Sequence, residues 1–125
     1  MEKITVFVVD DNLAARKMLI NMIDSQEDMQ AVGDGGILET SLPQVAELKP
    51  DVLLLEIDVS GGALINDIMA SIRSVSPDTL LILCTSGADD EFVIPAAESG
   101  ATDFLMKPYN KGYLFRTIRN AAGRG

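Results

Sequence analysis

Short, almost unbroken apolar runs alternate along this chain with segments whose apolar residues recur every three or four positions, and only layered architectures accept that order. The runs are ITVFVV (4–9), MQAV (29–32), DVLLLEI (51–57), TLLILC (79–84) and TDFLM (102–106). They have the length and the β-branched, leucine or aromatic content of strands. Three are nearly continuous in apolar residues, which suits strands covered on both faces, the condition of a parallel sheet. Between the runs, Ala15, Met18, Leu19, Met22 and Ile23 keep helical spacing, as do Leu64, Ile65, Ile68, Met69 and Ile72. Leu38–Lys49 and Asn110–Ala122 read as further helices, with Gly123 suited to a helix C-cap. The expected order is βαβαβαβαβα: an α/β fold with right-handed crossovers and a doubly wound parallel sheet. Active groups should then gather at the carboxyl ends of the strands.

A chain of 125 residues supplies one sizeable core. One domain is expected over 1–125, with a folded core of about 4–121 and a tail or the start of a linker at 122–125. No apolar run approaches the ~20 residues of a membrane span, and no basic region precedes an apolar one at the N-terminus. A cytoplasmic location is expected. Ten Lys and Arg face 19 Asp and Glu, a net charge of −9. This repels phosphate backbones and anionic membrane surfaces, so neither direct nucleic-acid binding nor a membrane partner is expected. With no histidine, Ser-His-Asp and Cys-His catalysis and His-ligated zinc are excluded. Cys84, alone in an apolar run, reads as a core residue.

Chemistry must come from carboxylates, hydroxyls and lysines. The first strand ends in Asp10-Asp11, the third in Glu56 with Asp58 beyond, the fourth in Thr85-Ser86 and the fifth in Lys107-Pro108. Parallel topology brings these ends together. Clustered carboxylate oxygens suit a hard cation such as Mg²⁺, while a lysine and a hydroxyl nearby could hold phosphoryl oxygens. Each residue has a plainer reading alone: Asp11 as a helix N-cap, Thr85-Ser86 as a helix-entry turn, Lys107 as a solvated lysine. Their joint placement favours the functional one.

The ensemble resembles the receiver domain of bacterial two-component response regulators, from about Ile4 to Ala121. The residues that carry the resemblance are VVDDN (8–12) with Arg16, KPDVLLL (49–55), LCTSGADDE (83–91) and ESGATDFLMKPY (98–109). It implies a flavodoxin-like five-stranded sheet of order 2-1-3-4-5 with helices on both faces. By position it makes Asp11 a direct Mg²⁺ ligand and Asp10 its helper. It gives Glu56 to the phosphoacceptor position and to the metal set, and Asp58 to the same set through its backbone carbonyl. Thr85 and Lys107 would bind phosphoryl oxygens, Phe104 would be the rotamer switch that reports on Thr85, and the Lys107–Pro108 bond would be cis. The implied partners are a sensor histidine kinase or phosphotransfer protein, a downstream effector domain or protein, and a second copy through the fourth helix, fifth strand and fifth helix.

Glu56 departs from the pattern at its centre, because the family carries aspartate there. The nucleophile is one methylene too long, and in-line attack tolerates ~1 Å of misplacement poorly. Two readings follow: a receiver that works without phosphorylation, or an Asp→Glu change that imitates the phosphorylated state. In either, Glu56 could approach Lys107 and Thr85; the plain alternative is a structural ion pair with Lys107. Asp58 as acceptor would lie ~6.6 Å further along an extended strand. VSGG (59–62) replaces the usual loop after the third strand, and Pro95 should shorten the fourth helix so that it begins near Ile94. The expected function is thus a conformational switch in a phosphorelay and not a turnover enzyme. The alternative is a Mg²⁺-dependent carboxylate-based phosphohydrolase using Asp58. A flavin module shares the fold, but no hydroxyl-rich phosphate loop follows the first strand.

Overall fold

Alternate residues of each central strand enter two different cores, which is why their sequences read as unbroken apolar runs. The computed structural model describes residues 2–57, 65–85, 98, 100 and 103–124. Its strands are β1 (Ile4–Val9), β2 (Met29–Gly35), β3 (Val52–Glu56), β4 (Leu80–Thr85) and β5 (Asp103–Met106). They form one sheet of order β2-β1-β3-β4-β5 with every pairing parallel. Ile4, Val6, Val8, Val52, Leu54, Ile82 and Cys84 face one side. There they meet Leu19, Met22 and Ile23 of α1 (Leu13–Asp24) and Leu114 and Ile118 of the last helix, here α4 (Lys111–Ala121). Phe7, Val9, Leu53, Leu55, Leu81 and Leu83 face the other side, against Val45 of α2 (Leu38–Leu48) and Met69 and Ile72 of α3 (Ile65–Val75). Burial of one such Leu or Ile stabilises the fold by roughly 2 kcal/mol.

Local chemistry sets the helix ends. Asn12 caps α1 by accepting from the Ala15 amide at 3.0 Å, and Asn110 caps α4 by accepting from the Tyr113 amide at 3.0 Å. Each cap contributes about 1 kcal/mol. Lys49 closes α2 in the left-handed region at φ 45°, immediately before Pro50, which disfavours helical geometry in the residue preceding it. Gly123, at φ 75°, ends α4: its amide donates to the Asn120 carbonyl at 3.1 Å and that of Arg124 to the Arg119 carbonyl at 2.7 Å. This pair of bonds is a Schellman motif.

The architecture and strand order match the sequence reading, with differences at the edges. β2 extends to Gly35, beyond the expected Val32. Gly33, Asp34 and Gly35 look like turn residues, yet all three pair with β1. A Cβ on Gly33 would lie 2.7 Å from Phe7 Cε2, so the glycine is there for a close approach within the strand. Met18 keeps helical spacing but is half exposed, and the cap of α1 is Asn12 and not Asp11. Pro43 lies inside α2, which continues through it. Asp58, the VSGG loop and the segment around Pro95 fall outside the described residues, and with them the expectations about the Asp58 carbonyl and the fourth helix.

Candidate functional site

Four strand ends converge because their registers align them. Val9 of β1 pairs with Leu55 of β3, Glu56 with Cys84 of β4, and Thr85 with Met106 of β5, leaving Asp10, Glu56, Thr85 and Lys107 at one edge of the sheet. The Asp10 amide donates to the Gly35 carbonyl at 3.0 Å, and the Lys107 amide to the Thr85 carbonyl at 2.9 Å. The Lys107–Pro108 peptide is cis, as expected. Asp10 is almost fully buried at 1 % exposure and Thr85 at 2 %; Glu56 is half-buried and Asp11 exposed.

Lys107 ties the carboxylates together. Its Nζ donates to Asp10 Oδ2 at 3.0 Å and to Glu56 Oε1 at 2.8 Å. Asp10, Asp11 and Glu56 each offer a carboxylate oxygen, all within 4.8 Å of one another, so the donor set suits a hard, oxygen-seeking cation. A cavity of about 760 Å³ opens over them, with Ile37, Leu42 and Ile68 on its apolar side and Asp67 and Thr85 also on its wall.

The electrostatics separate the two paired acids. Burial pushes the Asp10 carboxyl up, but hydrogen bonds with Glu56, the Asn12 amide and Lys107 outweigh it and leave Asp10 below its ordinary value. Glu56 is raised, by burial first and then by the hydrogen bond and charge of Asp10, against the pull of Lys107. Burial alone would lower Lys107; its bonds to Glu56 and Asp10 reverse that and hold it above the ordinary lysine range. Asp10 therefore ionises the more readily of the two, and Glu56 with more difficulty. Beneath them Cys84 is sealed in the core, where burial pushes its thiol up to about 12.

Of the residues singled out in the sequence, Asp10, Glu56 and Lys107 meet directly, and Asp11 and Thr85 border the same cavity. Phe104 sits opposite Leu83, one alternate position before the Thr85–Met106 pair, so it shares the face of the sheet on which Thr85 lies. It packs against the core of Phe7, Val9 and Leu83. Residue types at the strand ends gave no sign of what surrounds Asp10. The Asn12 amide donates to Asp10 Oδ1 at 2.9 Å, and Arg16 bridges the Asp10 carbonyl to the Asp34 carboxylate. An Asn directly after an acidic pair, where turn and cap chemistry coincide, was the available signal for the first.

Residues 6–119 match the family described as the response regulator receiver domain. An uncharacterized response regulatory protein of Vibrio vulnificus is 31% identical over 119 residues, covering 93% of this chain and 46% of that protein. A protein-glutamate methylesterase/protein-glutamine glutaminase of Myxococcus xanthus is 32% identical over 129 residues, 96% of this chain and 37% of that one. The chain thus spans less than half the length of either relative. Among solved structures, the response regulator domain of Thermotoga maritima CheB superposes with a TM-score of 0.81 at 28% identity, over 98% of both chains. With its 2-1-3-4-5 sheet and an acidic edge tied to a lysine, this chain belongs to the receiver domains of two-component response regulators.

Proposed function

We propose that this receiver holds its signalling conformation through Glu56 and does not depend on phosphorylation at that position. The carrying observation is the single Lys107 ammonium, bonded to Glu56 Oε1 at 2.8 Å and to Asp10 Oδ2 at 3.0 Å. Glu56 stands where the resemblance puts the phosphoacceptor aspartate. Its extra methylene carries the carboxylate into contact with the lysine that would otherwise steady a phosphoryl oxygen. One negative charge takes the place of nearly two, and the contact needs no kinase.

Mg²⁺ fits the donor set of Asp10, Asp11 and Glu56, with Asp58 as a further candidate through its carbonyl. A cation there would compete with Lys107 for the same oxygens, so binding should be weak. Thr85 and Phe104 would pass the state of the site to a partner surface. The partners proposed are a sensor histidine kinase or phosphotransfer protein on the input side, and an effector domain or protein on the output side, in the cytoplasm. The module has no turnover of its own in this reading. Asp58, on which the phosphohydrolase alternative rests, lies outside the described residues.

Glu56→Asp tests the proposal. With acetyl phosphate and Mg²⁺, intact-mass spectrometry should find the variant phosphorylated and the parent not. Ready labelling of the parent, lost in Asp58→Asn, would overturn it and make Asp58 the acceptor.

A further inference from the structure

We infer that Arg16 is a positioning residue for the acidic pair, clamping the end of β1 to the end of β2 so that Asp10 and Asp11 stay in cation-binding register. The inference rests on the reading of Asp10, Asp11 and Glu56 as a cation site. Arg16 lies in the first turn of α1 with only 17% of its side chain exposed. Its Nε donates to Asp34 Oδ2 at 2.7 Å and its Nη1 to the Asp10 backbone carbonyl at 2.9 Å. Asp34 lies on the edge strand β2, where pairing with Val8 fixes its backbone while its side chain is 40% exposed.

Asp10 is held on every side. Its amide donates to Gly35, its Oδ1 accepts from the Asn12 amide, and its Oδ2 accepts from Lys107. The carbonyl bond from Arg16 is the contact that fixes the plane of the Asp10–Asp11 peptide, and that plane sets where both carboxylates start. A guanidinium suits the task because its planar fork serves two acceptors at a set separation, whereas an ammonium is a point donor. Gly36 leaves the room: a Cβ there would come within 3.2 Å of Arg16 Nη1. Arg16 touches neither Glu56 nor Lys107 in any of these bonds, so its effect on a cation would pass through Asp10.

Mn²⁺ is the probe, with the free ion counted by electron paramagnetic resonance in solutions of the full chain. Lys107→Gln, which removes the internal competitor, should bind Mn²⁺ more tightly than the parent. Adding Arg16→Lys keeps the charge and loses the fork, and should weaken Mn²⁺ about 10-fold relative to Lys107→Gln alone, the usual scale for a residue that orients a ligand. Equal Mn²⁺ affinity in a folded double variant would overturn the inference and leave Arg16 a structural tie. Should Arg16→Lys fail to fold, Asp34→Asn in the Lys107→Gln background carries the test: weakened binding supports the clamp and unchanged binding overturns it. If Lys107→Gln itself binds no Mn²⁺, the cation site falls, and the positioning role falls with it.

Discussion

Lys107 Nζ stands 2.8 Å from Glu56 Oε1 and so joins the end of β5 to the end of β3 across the intervening β4. The same ammonium reaches Asp10 beyond β1, on the far side of β3. One cation thus serves two carboxylates, and the trio keeps a formal charge of −1. At 21% and 30% side-chain exposure, Lys107 and Glu56 are partly screened by water, while Asp10 at 1% is not. The Glu56 bond is the shorter, but Glu56 is the more exposed carboxylate and the one held above its ordinary value, so it is the partner that yields first to protonation or to a competing cation.

Removal of the ammonium should expose that imbalance. Lys107→Met leaves Asp10 and Glu56 facing each other without a cation, and should cost about 2 kcal/mol at neutral pH, less than for a fully buried pair because the site is partly open. Glu56 already titrates above its ordinary 4.5, so folding favours its protonated form. Its ionisation costs stability above the folded value and nothing below pH 4.5. The gap between parent and variant should be widest near neutrality and narrow as pH falls through the raised Glu56 value. Urea titrations at several pH values check this; a gap independent of pH would refute it.

At the opposite pole a second ion pair has the reverse signature. Arg119 of α4 grips Asp28 with both arms, Nε to Oδ2 at 2.8 Å and Nη2 to Oδ1 at 3.0 Å. The hydrogen bond from Arg119 holds Asp28 below its ordinary 3.8, against a smaller opposing effect of burial. A depressed folded value means that the stabilisation is present above pH 3.8 and lost as pH falls through the folded value. Asp28→Asn should cost about 1 kcal/mol at neutral pH, given two-armed geometry at partial exposure. That difference should vanish in acid, as acid-unfolding midpoints of parent and variant would show.

Periodicity made the sheet legible and residue chemistry made the strand ends legible. Phe7 and Val8 show why: neighbours in sequence, both fully buried, in opposite cores. Such a pattern has few outcomes other than a strand covered on two faces. The convergence of Asp10, Glu56 and Lys107 followed from the parallel order, since each closes a strand. What the sequence concealed depended on side-chain reach and close packing. Arg16 meets Asp34 from 18 positions away, and an arginine on a helix has many rotamers, so periodicity says nothing of its partner. The expected second strand stops at Val32, short of Gly33 and Gly35; both lie within β2, where each makes space for a neighbouring side chain.

Gly35 gives the sharpest test of that last point, since its backbone conformation would accept a side chain and only packing forbids one. A Cβ at Gly35 would lie 1.9 Å from Ser41 Oγ and 3.2 Å from Ser41 Cβ. Ser41 cannot swing freely: it is 2% exposed, and its hydroxyl donates to the Ile37 carbonyl at 2.7 Å. Gly35→Ala should therefore cost about 2 kcal/mol through overpacking, and Ser41→Ala about 1 kcal/mol through the lost hydrogen bond. Without the hydroxyl the worst contact is gone, so the double variant should cost less than the sum, with a coupling of about 1 kcal/mol. Denaturant midpoints of the four proteins close the cycle, and strict additivity would show that the Ser41 hydroxyl is not what excludes a side chain. Because the Gly35 carbonyl also accepts the Asp10 amide, displacement of Gly35 should reach the acidic pair. Gly35→Ala in the Lys107→Gln background should then weaken Mn²⁺, and Ser41→Ala should restore most of the loss.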